Sequence, residues 1–186
     1  MTQSETHKNL EAALDTFQVG QAANGDRQAF DLLYRRWHPR FLRLARRLTK
    51  HQDQAQDVLQ EAALTIARDI HKLQDPSKFS AWAYTIIRRR AADYIDKAVR
   101  RRALEDRVLE TPKGTSEEDL ALRQALAQLP ETDRLMLTLF YQDGFKGKEI
   151  AAALGIPLGT VKSRLFKARA ELKSIYMTTE GEENGL

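Results

Sequence analysis

A chain of 186 residues makes one domain or two small ones. It holds no cysteine, which excludes a disulfide framework, a thiolate metal site and a cysteine nucleophile; no apolar run approaches the roughly 18 residues of a membrane span, and the polar Met1–Asn9 lacks a signal-peptide core. The net charge of +4 conceals an uneven distribution, because Arg27–Arg102 carries 18 basic against 8 acidic residues while Glu117–Lys173 carries 9 against 8.

A polyanion partner is therefore expected for the first half. Ala, Leu, Arg, Gln and Glu abound, and with no alternating strand pattern the expected fold is all-α. The first ordered stretch runs from about Asn9 to Arg47. Asn24-Gly25-Asp26 breaks it, with Asp26 as N-cap of a helix from Arg27. Phe30, Leu33, Tyr34 and Trp37, then Phe41, Leu44, Ala45 and Leu48, recur at helical spacing, and Pro39 between them is expected to kink or restart the helix.

A second helix is expected over about Asp53–Ile70. Ala55, Val58, Leu59, Ala62 and Ile66 form its buried side, and Asp57, Gln60, Glu61 and Leu64 form a contiguous stripe on another. Acidic groups on one helix of a basic domain suit a basic protein partner; a solvated helix face is the plainer reading. Asp75-Pro76-Ser77 marks a turn. The third helix, about Ser77–Arg102, carries Phe79, Trp82, Ala83, Ile86, Ile87 and Tyr94 on one face. Tyr84, Arg88 and Arg89 are expected to project away from it, an aromatic among guanidiniums as single-stranded nucleic acid binding uses. Arg88–Arg90 and Arg100–Arg102 continue this positive surface, and Arg40, Arg43, Arg46, Arg47 and Lys50 form a second set, duplex-facing or merely solvated.

Helical patterning lapses over Glu105–Glu118, where Thr111-Pro112-Lys113-Gly114-Thr115-Ser116 reads as a flexible linker. Helices resume near Glu117–Gln128, Glu131–Gln142, Lys148–Leu154 and Gly159–Met177, and the acidic Thr178–Leu186 is expected to fray. The expectation is two small helical domains joined by a flexible linker, the second ending in a helix-turn-helix. Lys148–Leu154 is its first helix and Gly155-Ile156-Pro157 its turn, with Gly155 suited to a left-handed cap. On a 100° wheel Val161, Leu165, Ala168 and Leu172 make the core stripe of the second helix. Lys162, Ser163, Phe166, Lys167 and Ala170 lie opposite, flanked by Thr160, Arg164 and Arg169. That outward stripe offers cations for phosphates and guanine edges, a hydroxyl, and an aromatic for a thymine methyl. A solvated basic helix is the plainer alternative.

His7, His38, His51 and His71 lack metal-ligand spacing, and no acid/base pair accompanies a nucleophile. Neither an enzyme nor a cofactor or metal is expected.

These segments together resemble a bacterial sigma factor of the extracytoplasmic-function (ECF) class, sigma-70 family, over about Val19–Lys173. Ala22–Phe30 resembles the opening helix pair. Gln54-Ala55-Gln56-Asp57-Val58-Leu59-Gln60-Glu61 resembles the polymerase-docking motif, and Phe79-Ser80-Ala81-Trp82-Ala83-Tyr84-Thr85-Ile86 the promoter-melting helix. Leu129–Tyr141 and Gly159–Arg169 match the last domain.

The resemblance implies a domain plan. Residues 1–18 are an N-terminal extension and 19–102 the region 2 domain, for polymerase docking and −10 recognition and melting. Residues 103–118 are a linker, 119–177 the region 4 domain for −35 recognition, and 178–186 an acidic tail. It implies docking on the β′ coiled coil of core RNA polymerase through Asp57, Gln60, Glu61 and Leu64. It implies −10 DNA contacts from the loop at about His71–Lys78 and the third helix, through His71, Lys72, Lys78, Tyr84, Arg88 and Arg89. It also implies −35 contacts through Thr160, Lys162, Ser163, Arg164, Phe166, Lys167 and Arg169. The β flap and an anti-sigma factor are the other implied partners, and the cytoplasm the implied location. The chain departs from the family at Arg89, Arg90 and Asp96, where Asn, an apolar residue and Arg or Lys are usual. A stand-alone helix-turn-helix regulator is the alternative, and a recombinase a more distant one.

Overall fold

The computed structural model describes the backbone of residues 3–102 and 117–183, with side chains described for 10–97, 122 and 124–177. Every regular element among the described residues is helical. The expected linker centre, the side chains of Arg100–Arg102 and the far end of the acidic tail lie outside the described residues. The chain divides into two compact units, residues 1–100 with 152–155 and residues 101–151 with 156–186.

The first unit holds α1 (Gln3–Ala23), α2 (Arg27–Thr49), α3 (Gln52–Asp69) and α4 (Phe79–Arg102), with 3-10 turns at Ile70–Lys72 and Pro76–Lys78 before α4. α1 runs without a break through residue 18. Asp26 caps α2 as its sequence position suggests. Its Oδ1 accepts from the backbone N–H of Gln28 at 2.9 Å and of Ala29 at 3.1 Å, an arrangement worth about 1 kcal/mol. Pro39 does not restart the helix, for α2 runs unbroken from Arg27 to Thr49. Pro39 is exposed, so its missing donor falls on the wet side, and the buried groups on both flanks hold one continuous helix against the core.

That core is aromatic. Trp37 and Phe41 of α2 stack with centroids 5.8 Å apart. Tyr84 of α4 meets Phe41 edge-on at 5.7 Å, and Phe79 meets Trp37 at 6.0 Å. Leu33, Leu44, Val58, Ile66 and Ile87 close the cluster. Arg36 ties α2 back to α1, with Nη1 3.1 Å from Asp15 Oδ1 and a second contact to the Gln18 amide oxygen.

The second unit holds α5 (Glu117–Gln128), α6 (Glu131–Leu137), most of α7 (Gly147–Leu154) and α8 (Leu158–Glu183). A single π turn, Thr138–Gln142, extends α6. The backbone stays helical to Glu183, well into the stretch expected to fray. The core is mostly aliphatic and small: Met136, Leu139, Ile150, Val161, Leu165 and Ala168, with Phe145 its one fully buried ring among the described residues.

Candidate nucleic-acid interface

In α3 the 100° spacing separates two faces. Ala55, Val58, Leu59, Ala62 and Ile66 are buried, while Asp57, Gln60, Glu61 and Leu64 are all exposed. Leu64, at 68% exposure, is an apolar side chain held in water beside two carboxylates. A polar seam from α4 lies along this face. The Tyr94 hydroxyl donates to Asp57 Oδ2 at 3.3 Å, and Arg90 Nη2 donates to Thr65 Oγ1 at 2.9 Å. The Thr65 hydroxyl in turn donates to the Glu61 carbonyl at 3.0 Å. Beside Gln60 opens a cleft of about 390 Å³, lined by Tyr34, His38 and Leu42 of α2 and by Gln56, Leu59, Gln60 and Ala63 of α3. Burial pushes the Tyr34 phenol up to about 12.

The turn region before α4 presents His71, Lys72 and Lys78 at the surface. Both lysines lean on aspartates of their own loop. Lys72 Nζ lies 2.7 Å from Asp69 Oδ1, whose carboxylate also takes Arg68 at 2.9 Å. Hydrogen bonds from Arg68 and Lys72 hold the Asp69 carboxyl far below the ordinary carboxylate range. Lys78 Nζ lies 3.2 Å from Asp75 Oδ2. Asp75 Oδ1 accepts from the Ser77 N–H at 3.0 Å and hydroxyl at 2.6 Å, contacts that lower its pKa and brace the turn with Pro76.

Tyr84 is a correction. It is fully buried between Trp37 and Phe41 and cannot serve as a stacking platform for a strand. The buried residues of α4 are Phe79, Ala83, Tyr84, Ile87 and Ala91, a face turned about 60° from the expected one at 100° per residue. Trp82, expected in the core, stays half-buried against Phe79 at 6.2 Å. Arg89 and Asp96 are exposed and Arg88 is half-buried. Arg90 is drawn towards α3 by Thr65, so its guanidinium serves the α3–α4 seam. In the second basic set Arg46, Arg47 and Lys50 are exposed, and the Arg40 guanidinium sits 5.3 Å from the centre of the Trp37 ring.

The helix-turn-helix is built as its sequence suggests. Gly155 adopts φ +70, which lets the Ile156 N–H reach back to the Ala151 carbonyl at 3.0 Å, the longer bond of a Schellman cap. Glu149 accepts from the Lys146 N–H at 2.7 Å and closes the start of α7. Val161, Leu165 and Ala168 anchor α8 in the core; Leu172 is half-buried. Lys162, Ser163, Phe166, Lys167 and Ala170 are all exposed, and Phe166 stands 71% in water. Thr160 is half-buried, and its carbonyl accepts from the Ser163 hydroxyl at 3.1 Å.

The two flanking arginines behave differently from that stripe. Arg164 Nε lies 3.0 Å from Asp133 Oδ1, a carboxylate only 11% exposed, so Arg164 joins α8 to α6. Arg169 donates from Nε to the Leu165 carbonyl at 3.1 Å and from Nη1 to the Tyr141 hydroxyl at 3.3 Å. It lines a mostly apolar groove of about 520 Å³ with Leu122, Leu137, Tyr141, Leu172, Lys173 and Tyr176. Nothing in residue spacing betrayed these ties, since each depends on which helix packs beside α8.

Comparison with known proteins fits this geometry. Residues 33–101 match the family description Sigma-70 region 2, and residues 119–172 match Sigma-70, region 4. The RNA polymerase sigma-H factor of Pseudomonas aeruginosa is 32% identical over 171 residues, covering 81% of this chain and 88% of that protein. The ECF RNA polymerase sigma-E factor of Escherichia coli is 33% identical over 177 residues, covering 86% and 92%. Among solved structures, the sigma factor RpoE in complex with the anti-sigma factor NepR from Bartonella quintana has a TM-score of 0.58 at 25% identity, covering 78% of this chain and 95% of that one. CnrH in complex with the cytosolic domain of CnrY has a TM-score of 0.62 at 24% identity, covering 89% and 98%, a likeness of fold.

Proposed function

We propose a division of labour for a chain that belongs to the sigma-70 family, as a sigma factor of the ECF class. It is an alternative sigma factor, which binds core RNA polymerase and promoter DNA and directs transcription initiation to particular promoters. In our reading residues 19–102 dock on the polymerase and open the −10 element, and residues 119–177 read the −35 element. The bond-making chemistry belongs to the polymerase.

One observation carries the assignment most strongly: the α8 stripe holds Phe166 out in water among Lys162, Ser163 and Lys167, while its opposite stripe is sealed in the core. A helix that displays an aromatic and two cations away from its core is built to enter a groove. Arg164 and Arg169 then support that helix instead of reading bases, and Thr160 shapes its first turn. On the first unit Asp57, Gln60, Glu61 and Leu64 offer acid and apolar surface to a basic partner, which we assign as the β′ coiled coil. Around the opposite task we place His71, Lys72, Lys78, Arg88 and Arg89, without Tyr84. The apolar groove with Arg169 and Lys173 at its rim suits the β flap.

An anti-sigma factor is a further proposed partner, since RpoE is held by NepR, and the cytoplasm is the proposed location. Among the described residues no helix is long and apolar enough to cross a membrane. A stand-alone regulator is disfavoured, because residues 33–101 match sigma region 2.

Charge reversal tests the docking assignment. Asp57→Lys with Glu61→Lys should lower affinity for core polymerase by more than tenfold while circular dichroism stays unchanged. Unaltered affinity would remove α3 from the polymerase contact.

A further inference from the structure

We infer that Tyr94 is a positioning residue for polymerase docking, holding the Asp57 carboxylate in the orientation its partner meets. The inference rests on the docking reading of α3 and goes beyond it, because Tyr94 belongs to α4, the helix assigned to promoter DNA.

The geometry is specific. Asp57 is exposed on α3, and without restraint its carboxylate would sample several rotamers in water. The Tyr94 hydroxyl reaches it from α4 at 3.3 Å and donates to Oδ2. One carboxylate oxygen is thereby engaged, and Oδ1 keeps its full acceptor capacity for an incoming cation. Tyr94 is itself half-buried, so its ring is packed and its hydroxyl has a defined aim.

One turn earlier on α4, Arg90 donates to Thr65 Oγ1 at 2.9 Å, with Asp93 3.8 Å from its Nη1. Thr65 is bonded to the Glu61 carbonyl. At i and i+4 spacing Arg90 and Tyr94 thus fasten α4 along the flank of the α3 face at two points eight residues apart on α3. A partner that docks there meets a carboxylate already ordered, and the ordering cost is met on folding instead of on binding.

The consequence is measurable with the full-length chain and core polymerase. Tyr94→Phe keeps the ring and its packing and deletes only the donor. It should weaken core binding about three- to tenfold, the cost of ordering one freed side chain on binding, with at most a small loss of thermal stability. In an Asp57→Ala background the same substitution should change affinity less than about twofold, because there is no carboxylate left to orient. A Tyr94→Phe effect of equal size in both backgrounds, or none in the wild type, overturns the inference. If Asp57→Ala alone leaves affinity unchanged, the docking reading fails first and takes the inference with it, a distinguishable result.

Discussion

The two units spend their aromatic residues in opposite ways. In the first, Trp37, Phe41, Phe79 and Tyr84 form one interlocked cluster, and Tyr84, the aromatic followed by arginines in sequence, is fully buried in it. In the second, the core is filled by small aliphatic side chains around Phe145, and Phe166 is left outside. Tyr84 and Phe166 look alike in sequence, each an aromatic with a cation four residues away. Their fates differ because helix register, not composition, decides what an aromatic does. An aromatic signals a nucleic-acid surface only when the opposite side of its own helix is shown to be the buried one.

Removing each aromatic should separate the units most sharply. Tyr84→Ala empties a fully packed site and should destabilise the first unit by about 3–5 kcal/mol, the cost seen for buried aromatics, in a calorimetric scan. Phe166→Ala should change stability by less than about 0.5 kcal/mol, since the ring is mostly in water. It should still impair −35 discrimination in a competition binding assay of the holoenzyme.

The next effect contrasts two cations of α8. Lys167→Ala should cost about 1–3 kcal/mol of −35 selectivity and little stability. Arg164→Ala should do the reverse. Its loss strands the 11%-exposed Asp133 and should lower the stability of the second unit by about 1–2 kcal/mol. Equal effects of the two on promoter choice would return Arg164 to the reading surface.

A pH dependence provides a further contrast. An unfolded tyrosine ionises near 10, whereas burial holds the Tyr34 phenol neutral up to about 12. Over that interval the unfolded chain has released a proton that the folded chain keeps, so stability falls as pH rises from about 10 to 12. Tyr34→Phe should flatten this slope in denaturant titrations and leave stability below pH 9 little changed.

Much of this was legible because α3 and α8 each carry a single apolar stripe. With the buried side unambiguous, the exposed sets around Asp57 and around Phe166 followed by subtraction. The Asp26 cap and the Gly155 turn were legible for local reasons, as each rests on one residue's backbone or side-chain chemistry. α4 was harder. It carries apolar residues over more than half its circumference, so the wheel admits two centres, and only the packing of Phe41 chooses the one that buries Tyr84 and leaves Trp82 at the rim. Pro39 does not restart α2, because its effect depends on which way its missing donor faces. The ties of Arg90, Arg164, Arg169 and Tyr94 join residues 25 to 37 apart in three cases, and Arg169 adds a bond 28 residues away. Spacing along one helix carries no information about them.

Run-off transcription with core RNA polymerase, on sheared DNA from the source genome, tests the central claim most directly. New transcript starts should appear only when the full-length chain is added and vanish with Asp57→Lys/Glu61→Lys. Tight duplex binding by the chain alone, with no new start on any template, would contradict it.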